Sequence, residues 1–423
     1  MVPMNLHLGA VVSPTAEQGF RWLERGALLV DGEGSIAAVG DAEPLIQAYP
    51  TANVIDHGSG LLLPGFVDAH VHFPQYLMAG SHGESLLTWL ERYTFPAEIE
   101  CADQAYAEAL AGQFLDELAR QGTTAAFIFG VSYQGAMEAL VSELNRRQLA
   151  AVTGNVWMDR NGPAELLKTP ADSAAISHHL IGLMGPDLRL GLLPRFVPSC
   201  SEEAMARCAE ILAQHPEALL QSHLAETLAE QTWVAELHPE AADYTAGYES
   251  FGMLGSRSSF AHGVHLGDRE WSALAASRSS LVHCPTANLF LGSGLFDLRR
   301  AREAGVSVGL GTDVGAGTSL CMLESLKACY QVQRLQGASI SVEDLLSLAT
   351  LGSAGVLGMA DRIGSLEPGK RADFILLQPP EGSWLAQRWS RCDRLEEQVF
   401  AAIILGSAQD IAGTWIRGRR VSP

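Results

Sequence analysis

The sequence predicts an α/β protein: a (β/α)8 TIM-like barrel with a small β-sandwich domain formed from both termini. The first observation is an alternation, through the middle of the chain, of short apolar runs with amphipathic segments. Eight such runs, each followed by a helical pattern, occupy about 300 residues, the usual size of this barrel. The second observation is that β-like runs flank this region on both sides. A doubly wound sheet is the alternative architecture for the same alternation.

The barrel is predicted to span residues 63–365, and its opening strand is the apolar run at 61–72. Residues 103–121 then predict a helix, because Leu110, Phe114, Leu115 and Leu118 fall on one helical face. The seven later strands are expected near 123–129, 150–157, 188–196, 218–223, 258–263, 279–284 and 306–312.

The small β domain is predicted from residues 1–62 and 366–423. Short β-like runs at 26–30 and 35–39 are separated by glycine-containing turns. Similar runs recur in the tail at 372–377, 400–405 and 414–419.

Composition limits the classes of partner and the cellular compartment. The formal net charge of -20 argues against a nucleic-acid partner, since such proteins usually carry a basic surface. The seven cysteines are scattered without a C-x-x-C pair, which is typical of reduced thiols rather than a disulfide framework. The sequence shows neither a secretory leader pattern nor an apolar stretch long enough to span a membrane. We therefore expect a cytoplasmic protein without a membrane partner.

Polar residues with metal-binding side chains stand where predicted strands end. His70 and His72 are two residues apart, so a strand directs both imidazoles to one face. His223, His262 and Asp313 follow three later strands. A closed barrel brings the carboxyl ends of its strands together, whereas a doubly wound sheet does not converge them on one point. The set His70, His72, His223 and Asp313 predicts one Zn²⁺ per chain, with Fe²⁺ as the alternative.

This ligand set predicts hydrolysis at an electrophilic sp² carbon. A metal with an open position lowers the pKa of a bound water towards neutrality and so supplies a hydroxide nucleophile. Asp313 can accept the proton of the water, His262 can hold the hydroxide, and Glu226 can deliver a proton to the substrate. Of the other histidines, His265 is expected to orient its neighbours and His283 to be structural.

The motifs resemble those of the amidohydrolase superfamily. Residues 64–72 are similar to its opening signature, and the H-x-H, H-x-x-E, H and D pattern resembles its mononuclear deaminase branch. Arg195 stands in the region where binuclear branches carry a carboxylated lysine. A finer resemblance, from about residue 60 onward, is to the guanine deaminase family of the long, barrel type. It rests on the segments at 72–75, 87–98, 194–196, 222–226, 260–262, 284–289 and 311–317, with Ala69 and Val71 as minor departures.

The resemblance implies conversion of guanine to xanthine and ammonia in purine catabolism, by attack of a zinc-bound hydroxide on C2. It implies that Glu226 protonates ring N3 and then the departing amine. Gln75 and Arg195 would contact the purine edge, and Phe196 and Trp89 would wall the pocket. It also suggests a homodimer. Two alternatives stay open. The first is a deaminase for another aminopurine, a pterin, a triazine or an adenosine-like nucleoside, and the second is a non-catalytic relative that serves in binding or assembly.

Overall fold

The computed structural model describes residues 4–17, 19–82 and 85–422. The predicted small domain reaches residues 1–3, 18 and 423, which lie outside the described residues. The strands, in chain order, are β1 (Asn5–Pro14), β2 (Phe20–Val30), β3 (Ile36–Asp41), β4 (Asn53–Pro64), β5 (Phe66–His72), β6 (Thr123–Phe129), β7 (Ala150–Gly154), β8 (Val156–Trp157), β9 (Leu188–Pro194), β10 (Leu219–Leu224), β11 (Ser258–His262), β12 (Ser280–His283), β13 (Val308–Leu310), β14 (Phe374–Leu377), β15 (Ile411–Ile416) and β16 (Arg419–Ser422).

Eight parallel strands form the predicted barrel. They are hydrogen-bonded in the order β5, β6, β7, β9, β10, β11, β12 and β13, and the short β8 pairs with β9. Two backbone bonds bridge the first and last strands: His72 N–H donates to Val314 O and Asp313 N–H donates to His70 O, both at 2.8 Å. This nearly closed ring confirms the barrel and excludes the doubly wound alternative.

The helices alternate with the barrel strands, as the periodicity predicts. The predicted helix at 103–121 is observed at Gln104–Arg120, where Asp103 accepts a hydrogen bond from Tyr106 N–H and the four apolar residues named above are buried. In the described part of the chain, no helix is long and apolar enough to cross a membrane. The α-helices are α1 (Ala42–Ala48), α2 (Leu86–Trp89), α3 (Phe95–Glu100), α4 (Gln104–Arg120), α5 (Gln134–Arg147), α6 (Pro170–Ile181), α7 (Glu202–Gln214), α8 (Leu228–Leu237), α9 (Tyr244–Glu249), α10 (Asp268–Ser277), α11 (Pro285–Phe290), α12 (Leu298–Ala304), α13 (Met322–Leu335), α14 (Val342–Ser347), α15 (Ser353–Val356), α16 (Trp384–Trp389) and α17 (Leu395–Leu405), with 3₁₀ turns at Phe73–Met78, Val197–Ser199 and Ala408–Asp410 and π turns at Leu90–Thr94 and Leu348–Gly352.

The termini together build a second sheet, in the order β16, β15, β14, β4, β1, β2 and β3. It is one continuous seven-stranded sheet, where the sequence predicts a sandwich. The apolar run at 61–72 is shared between the two sheets: its first part ends β4 and its second part is β5. Gly65 separates them, and a Cβ at this position would overlap the side chain of Thr124. The chain therefore passes from the terminal sheet into the barrel at a point where only glycine fits.

One predicted strand is wrong. Residues 400–405 lie in α17, not in the terminal sheet. A short apolar run cannot be assigned to strand or helix by periodicity alone, and here the preceding residues extend it into a helix with acidic residues in its first turn. Val399 and Ile403 pack into the same apolar core as the barrel. The domain boundaries at 62/63 and 365/366 stay a prediction.

Candidate metal centre and active site

Four side chains from three strand ends converge at the carboxyl end of the barrel. His72 Nε2 lies 3.2 Å from His70 Nε2 and 3.3 Å from His223 Nε2. Asp313 Oδ1 lies 3.3 Å from the Nε2 atoms of both His70 and His72. Ligand atoms bound tetrahedrally at 2.0–2.1 Å from Zn²⁺ are about 3.3 Å apart. The separations therefore fit one tetrahedral metal ion.

The hydrogen bonds on the outer side of these rings fix their tautomers. His70 Nδ1 donates to Gln221 Oε1 at 2.8 Å, since the Nε2 of Gln221 is already directed to Ala69 O and Ser259 Oγ. His223 Nδ1 donates to the carbonyl oxygen of Arg195 at 2.6 Å. Both rings therefore turn an unprotonated Nε2 lone pair towards the centre, an arrangement that a bound cation stabilises.

Burial and charge keep His72, His223 and Asp313 in their metal-binding forms. Burial lowers the pKa of His72 to about 4, although the bond to Asp313 acts in the opposite direction. Burial alone would raise the pKa of Asp313, but the hydrogen bonds of His70 and His72 outweigh it and hold that pKa well below its usual range. Burial lowers the pKa of His223 as well, so at neutral pH His72 and His223 are neutral imidazoles and Asp313 is a carboxylate.

The backbone is strained where the site residues leave their strands. His262 has φ 73°, Asp313 has φ 53°, and Ala225, directly before Glu226, has φ 49°. Non-glycine residues in this left-handed region cost of order 1–3 kcal/mol each and are concentrated at functional sites. Asp68 helps to hold the backbone turn at Asp313, because its carboxylate accepts hydrogen bonds from the backbone N–H and the hydroxyl of the preceding residue, Thr312.

Glu226 and His262 lie side by side next to Asp313. His262 Nε2 is 3.5 Å from Glu226 Oε2 and 3.8 Å from Asp313 Oδ2. Burial raises the pKa of the Glu226 carboxyl. Burial lowers the pKa of His262, but the charges of Glu226 and Asp313 outweigh it, so the net direction is upward. A buried carboxyl with a raised pKa beside an imidazole is suited to carrying protons.

Residues to which the sequence analysis gave no role hold Glu226 and His262. Ser293 Oγ donates to Glu226 Oε1 at 2.7 Å, and His262 Nδ1 is 2.9 Å from Asn288 Oδ1. Glu230 Oε2 accepts the backbone N–H of Glu226 at 2.9 Å, and burial raises the pKa of Glu230 to about 7. In the sequence Glu230 shows only as the fourth residue of a helix-capping pattern that begins at Thr227.

A cavity lies over the metal-capable side chains, and every residue predicted to bind the substrate lines it. Its lining includes Gln75, Trp89, Arg195 and Phe196, together with the metal-capable His72, His223 and Asp313. Glu98, which the sequence placed in a motif without a role, joins Gln75 and Arg195: it accepts from both. The buried Trp89 Nε1 has no partner among the described residues.

His265 and His283, which the sequence analysis placed outside the catalytic group, have different surroundings in the structure. His265 Nε2 donates to Ser293 O at 2.7 Å, so it does orient a neighbour of the site. His283 is buried, stacks on Phe296, and is absent from the cavity lining. Burial lowers the pKa of His283 to about 3, so the ring is neutral at physiological pH, and its structural role stays a prediction.

Comparisons with known proteins agree with these findings. The amidohydrolase family profile matches residues 61–421. Guanine deaminase from Escherichia coli (strain K12) is 39% identical over 404 residues, 95% of this chain and 92% of that protein. A probable guanine deaminase from Deinococcus radiodurans is 42% identical over 402 residues, 93% of this chain and 92% of that protein.

Solved structures give the same result. That of E. coli guanine deaminase has a TM-score of 0.95 at 36% identity and covers 98% of this chain and 99% of its own. That of guanine deaminase from C. acetobutylicum, with guanine bound in its active site, has a TM-score of 0.91 at 26% identity and covers 99% of both chains. The resemblance predicted from the motifs is confirmed over nearly the whole length. The chain belongs to the amidohydrolase family.

Proposed function

We propose that this chain catalyses the hydrolytic deamination of guanine to xanthine and ammonia. The observation that carries the proposal is that one cavity is lined by His72, His223, Asp313, Glu226 and His262 together with the polar pair Gln75 and Arg195. The first group can hold a metal and move protons, and the pair can hold a purine. The similarity to guanine deaminases at about 40% identity supports guanine as the substrate.

We assign His70, His72, His223 and Asp313 as ligands of one Zn²⁺, with Fe²⁺ as the alternative metal. When bound there, a divalent metal lowers the pKa of water and makes a nucleophile accessible at neutral pH. Asp313 would accept a proton of the attacking water, and His262, whose Nε2 is 3.8 Å from Asp313 Oδ2, would hold the nucleophile. Glu226 would carry one proton of the water to ring N3 and, in a later step, the second proton of the water to the amine that leaves from C2.

Gln75 and Arg195 bind the purine edge, and the planar guanidinium of Arg195 suits two neighbouring acceptors such as O6 and N7. Phe196 and Trp89 close the apolar walls and exclude water from the ring. Arg195→Ala should weaken guanine turnover and leave the metal content unchanged; loss of metal from this variant would make Arg195 a structural residue instead.

The deciding experiment measures ammonia release from a panel of substrates: guanine, 8-oxoguanine, 2,6-diaminopurine, a pterin and a triazine. The protein is assayed as purified, after chelation, and after reloading with zinc or with iron. We expect the highest kcat/KM with guanine and loss of activity on chelation. Activity on another substrate with none on guanine would overturn the proposal. Absence of both stoichiometric metal and ammonia release would indicate a binding protein.

We also propose that the chain functions in the cytoplasm, in purine catabolism, as a homodimer. All seven cysteines are free thiols in the structure and six are buried, which suits a reducing compartment. Light scattering after gel filtration tests the homodimer; a monomeric mass at assay concentrations would overturn it.

A further inference from the structure

Glu98 is a buried carboxylate at the cavity wall, and it contacts both residues proposed to bind the purine. It lies in α3 with 2% of its surface exposed. Its Oε1 accepts from Gln75 Nε2 at 3.0 Å, and Arg195 Nη1 donates to Oε1 at 3.0 Å and to Oε2 at 2.7 Å. A single side chain thus determines how Gln75 and Arg195 are presented to a ligand.

The contact with Glu98 fixes the orientation of the Gln75 amide. An ionised carboxylate can only accept hydrogen bonds, so the amide must turn its nitrogen towards Glu98. The opposite end of the amide is held as well, because Gly315 N–H donates to Gln75 Oε1 at 3.3 Å. The amide has one further N–H on the same nitrogen, and Gln75 lines the cavity. Gln75 therefore acts towards a ligand as a donor.

The same carboxylate fixes the guanidinium of Arg195. The ion pair uses Nη1, and the face of the guanidinium lies over the ring of Phe95, with Cζ 5.2 Å from the ring centroid. The remaining nitrogens of the fork carry only donors, since arginine stays protonated. Glu98 also neutralises the buried charge of Arg195, which is 4% exposed.

We propose that Glu98 is a positioning residue that sets the substrate preference of this cavity: by fixing Gln75 as a donor and holding the donors of Arg195 in place, it selects 6-oxopurines over 6-aminopurines. This inference rests on the proposed function. In guanine, O6 and N7 are both acceptors and match two donors. An amino group at C6 replaces one acceptor of the purine with a donor. The N–H groups of the ligand then face the buried N–H groups of the protein without an acceptor between them, and a site of this kind binds such a ligand much more weakly.

The test compares guanine with 2,6-diaminopurine, which differs at C6 and keeps the amino group at C2. In Glu98→Gln, the new amide can donate as well as accept, so Gln75 is free to reverse. We expect KM for guanine to rise roughly tenfold or more, kcat to change less, and the ratio of kcat/KM for guanine over that for 2,6-diaminopurine to fall at least about tenfold. Bound metal should not change. Glu100→Gln removes an exposed carboxylate from the same short helix and should leave the ratio unchanged.

A double variant that exchanges the side chains of positions 75 and 98, the swapped pair, separates the effect of the orientation of the Gln75 amide from the effects of charge and packing. The double variant Glu98→Gln with Gln75→Glu keeps one carboxylate and one amide at these two positions, but it presents an acceptor from position 75. We expect it to unfold at the same temperature as the wild type and still to show a ratio of kcat/KM for guanine over 2,6-diaminopurine at least about tenfold below that of the wild type. It also carries the test should Glu98→Gln alone fail to fold.

The outcomes distinguish this inference from the proposed function. A wild type that does not deaminate guanine ends the proposed function, whatever the variants do. With an active wild type, equal loss on both substrates in Glu98→Gln would make Glu98 merely structural. Recovery of the guanine preference in the swapped pair would overturn the inference as well.

Discussion

Ser293 Oγ donates a 2.7 Å hydrogen bond to Glu226 Oε1, so one oxygen of this buried carboxylate is held while the other lies 3.5 Å from His262 Nε2. Ser293 is itself held, because His265 donates to its carbonyl oxygen. Asn288, on the same segment after β12, contacts the outer nitrogen of His262. One short stretch of chain therefore orients both groups that are proposed to move protons.

Ser293→Ala should lower kcat about 10- to 150-fold, since a hydrogen bond to a charged group contributes roughly 1.5–3 kcal/mol. Burial already raises the pKa of Glu226, and the Ser293 hydroxyl opposes that effect. Its removal should therefore shift the Glu226 limb of the kcat profile to higher pH. Steady-state ammonia assays from pH 5 to 9 measure both effects. Ser293→Thr retains a hydroxyl and should recover most of the rate; an unshifted profile in Ser293→Ala would contradict the assigned role.

Glu226→Gln should reduce kcat by a factor of about 10²–10⁴, the usual contribution of a positioned acid or base. The amide is nearly isosteric and can still accept from Ser293, but it cannot carry a proton. Because Glu226 is not among the proposed ligands, metal content by elemental analysis should equal that of the wild type. Turnover close to the wild-type rate would refute the proton-carrying role.

The metal ligands could be predicted from sequence because their chemistry is local to strand ends. His70 and His72 are fixed by strand alternation, and the order of the later strands brings His223 and Asp313 to the same end of the barrel. The residues that hold the proton carriers could not be found this way. Ser293 is 67 positions from Glu226 in the chain, and nothing in the local pattern at either position indicates that they meet.

On the substrate side of the cavity, too, a contact between residues distant in the chain could not be predicted from the sequence. Gln75 and Arg195 were predicted from motif resemblance, but their common partner Glu98 became evident only when α3 was seen to pack beside them. The error at 400–405 has a different cause. An apolar run of that length satisfies both periodicities, and packing of α17 against the barrel decides in favour of the helix.

Asp187→Ala should destabilise the folded chain by about 3 kcal/mol, the lower end of the cost of leaving a buried charge without its partner. Asp187 Oδ1 lies 2.6 Å from both Arg362 and Arg371, and 2.8 Å from Arg417. The side chain of Arg371 is 5% exposed and keeps Asp373 as a second partner, which limits the loss. The urea midpoint measures the effect. Asp361→Ala removes an exposed carboxylate nearby and should change the midpoint little; equal effects of the two substitutions would refute the argument.

His7→Phe should make stability less sensitive to acid. His7 is 1% exposed in the terminal sheet, with its Nδ1 3.0 Å from His57 Nε2 and its ring edge-on to Phe374 and Trp415. Burial, and then the charge of His57, lower the pKa of His7 to about 4 from the model-compound value of 6.5. The folded chain thus binds this proton less readily than the unfolded chain. The stability that neutral His7 contributes is complete above pH 6.5 and is lost as the pH falls through about 4.

The shift corresponds to at most roughly 3 kcal/mol at 1.36 kcal/mol per pKa unit. Urea midpoints measured at intervals from pH 7.5 to 4 should therefore fall less steeply in His7→Phe, whose ring keeps the two edge-on aromatic contacts and cannot titrate. His178→Gln, at an exposed histidine, controls for the loss of one imidazole and should follow the wild-type curve. Parallel curves for the wild type and His7→Phe would show that the buried ring does not contribute to acid sensitivity.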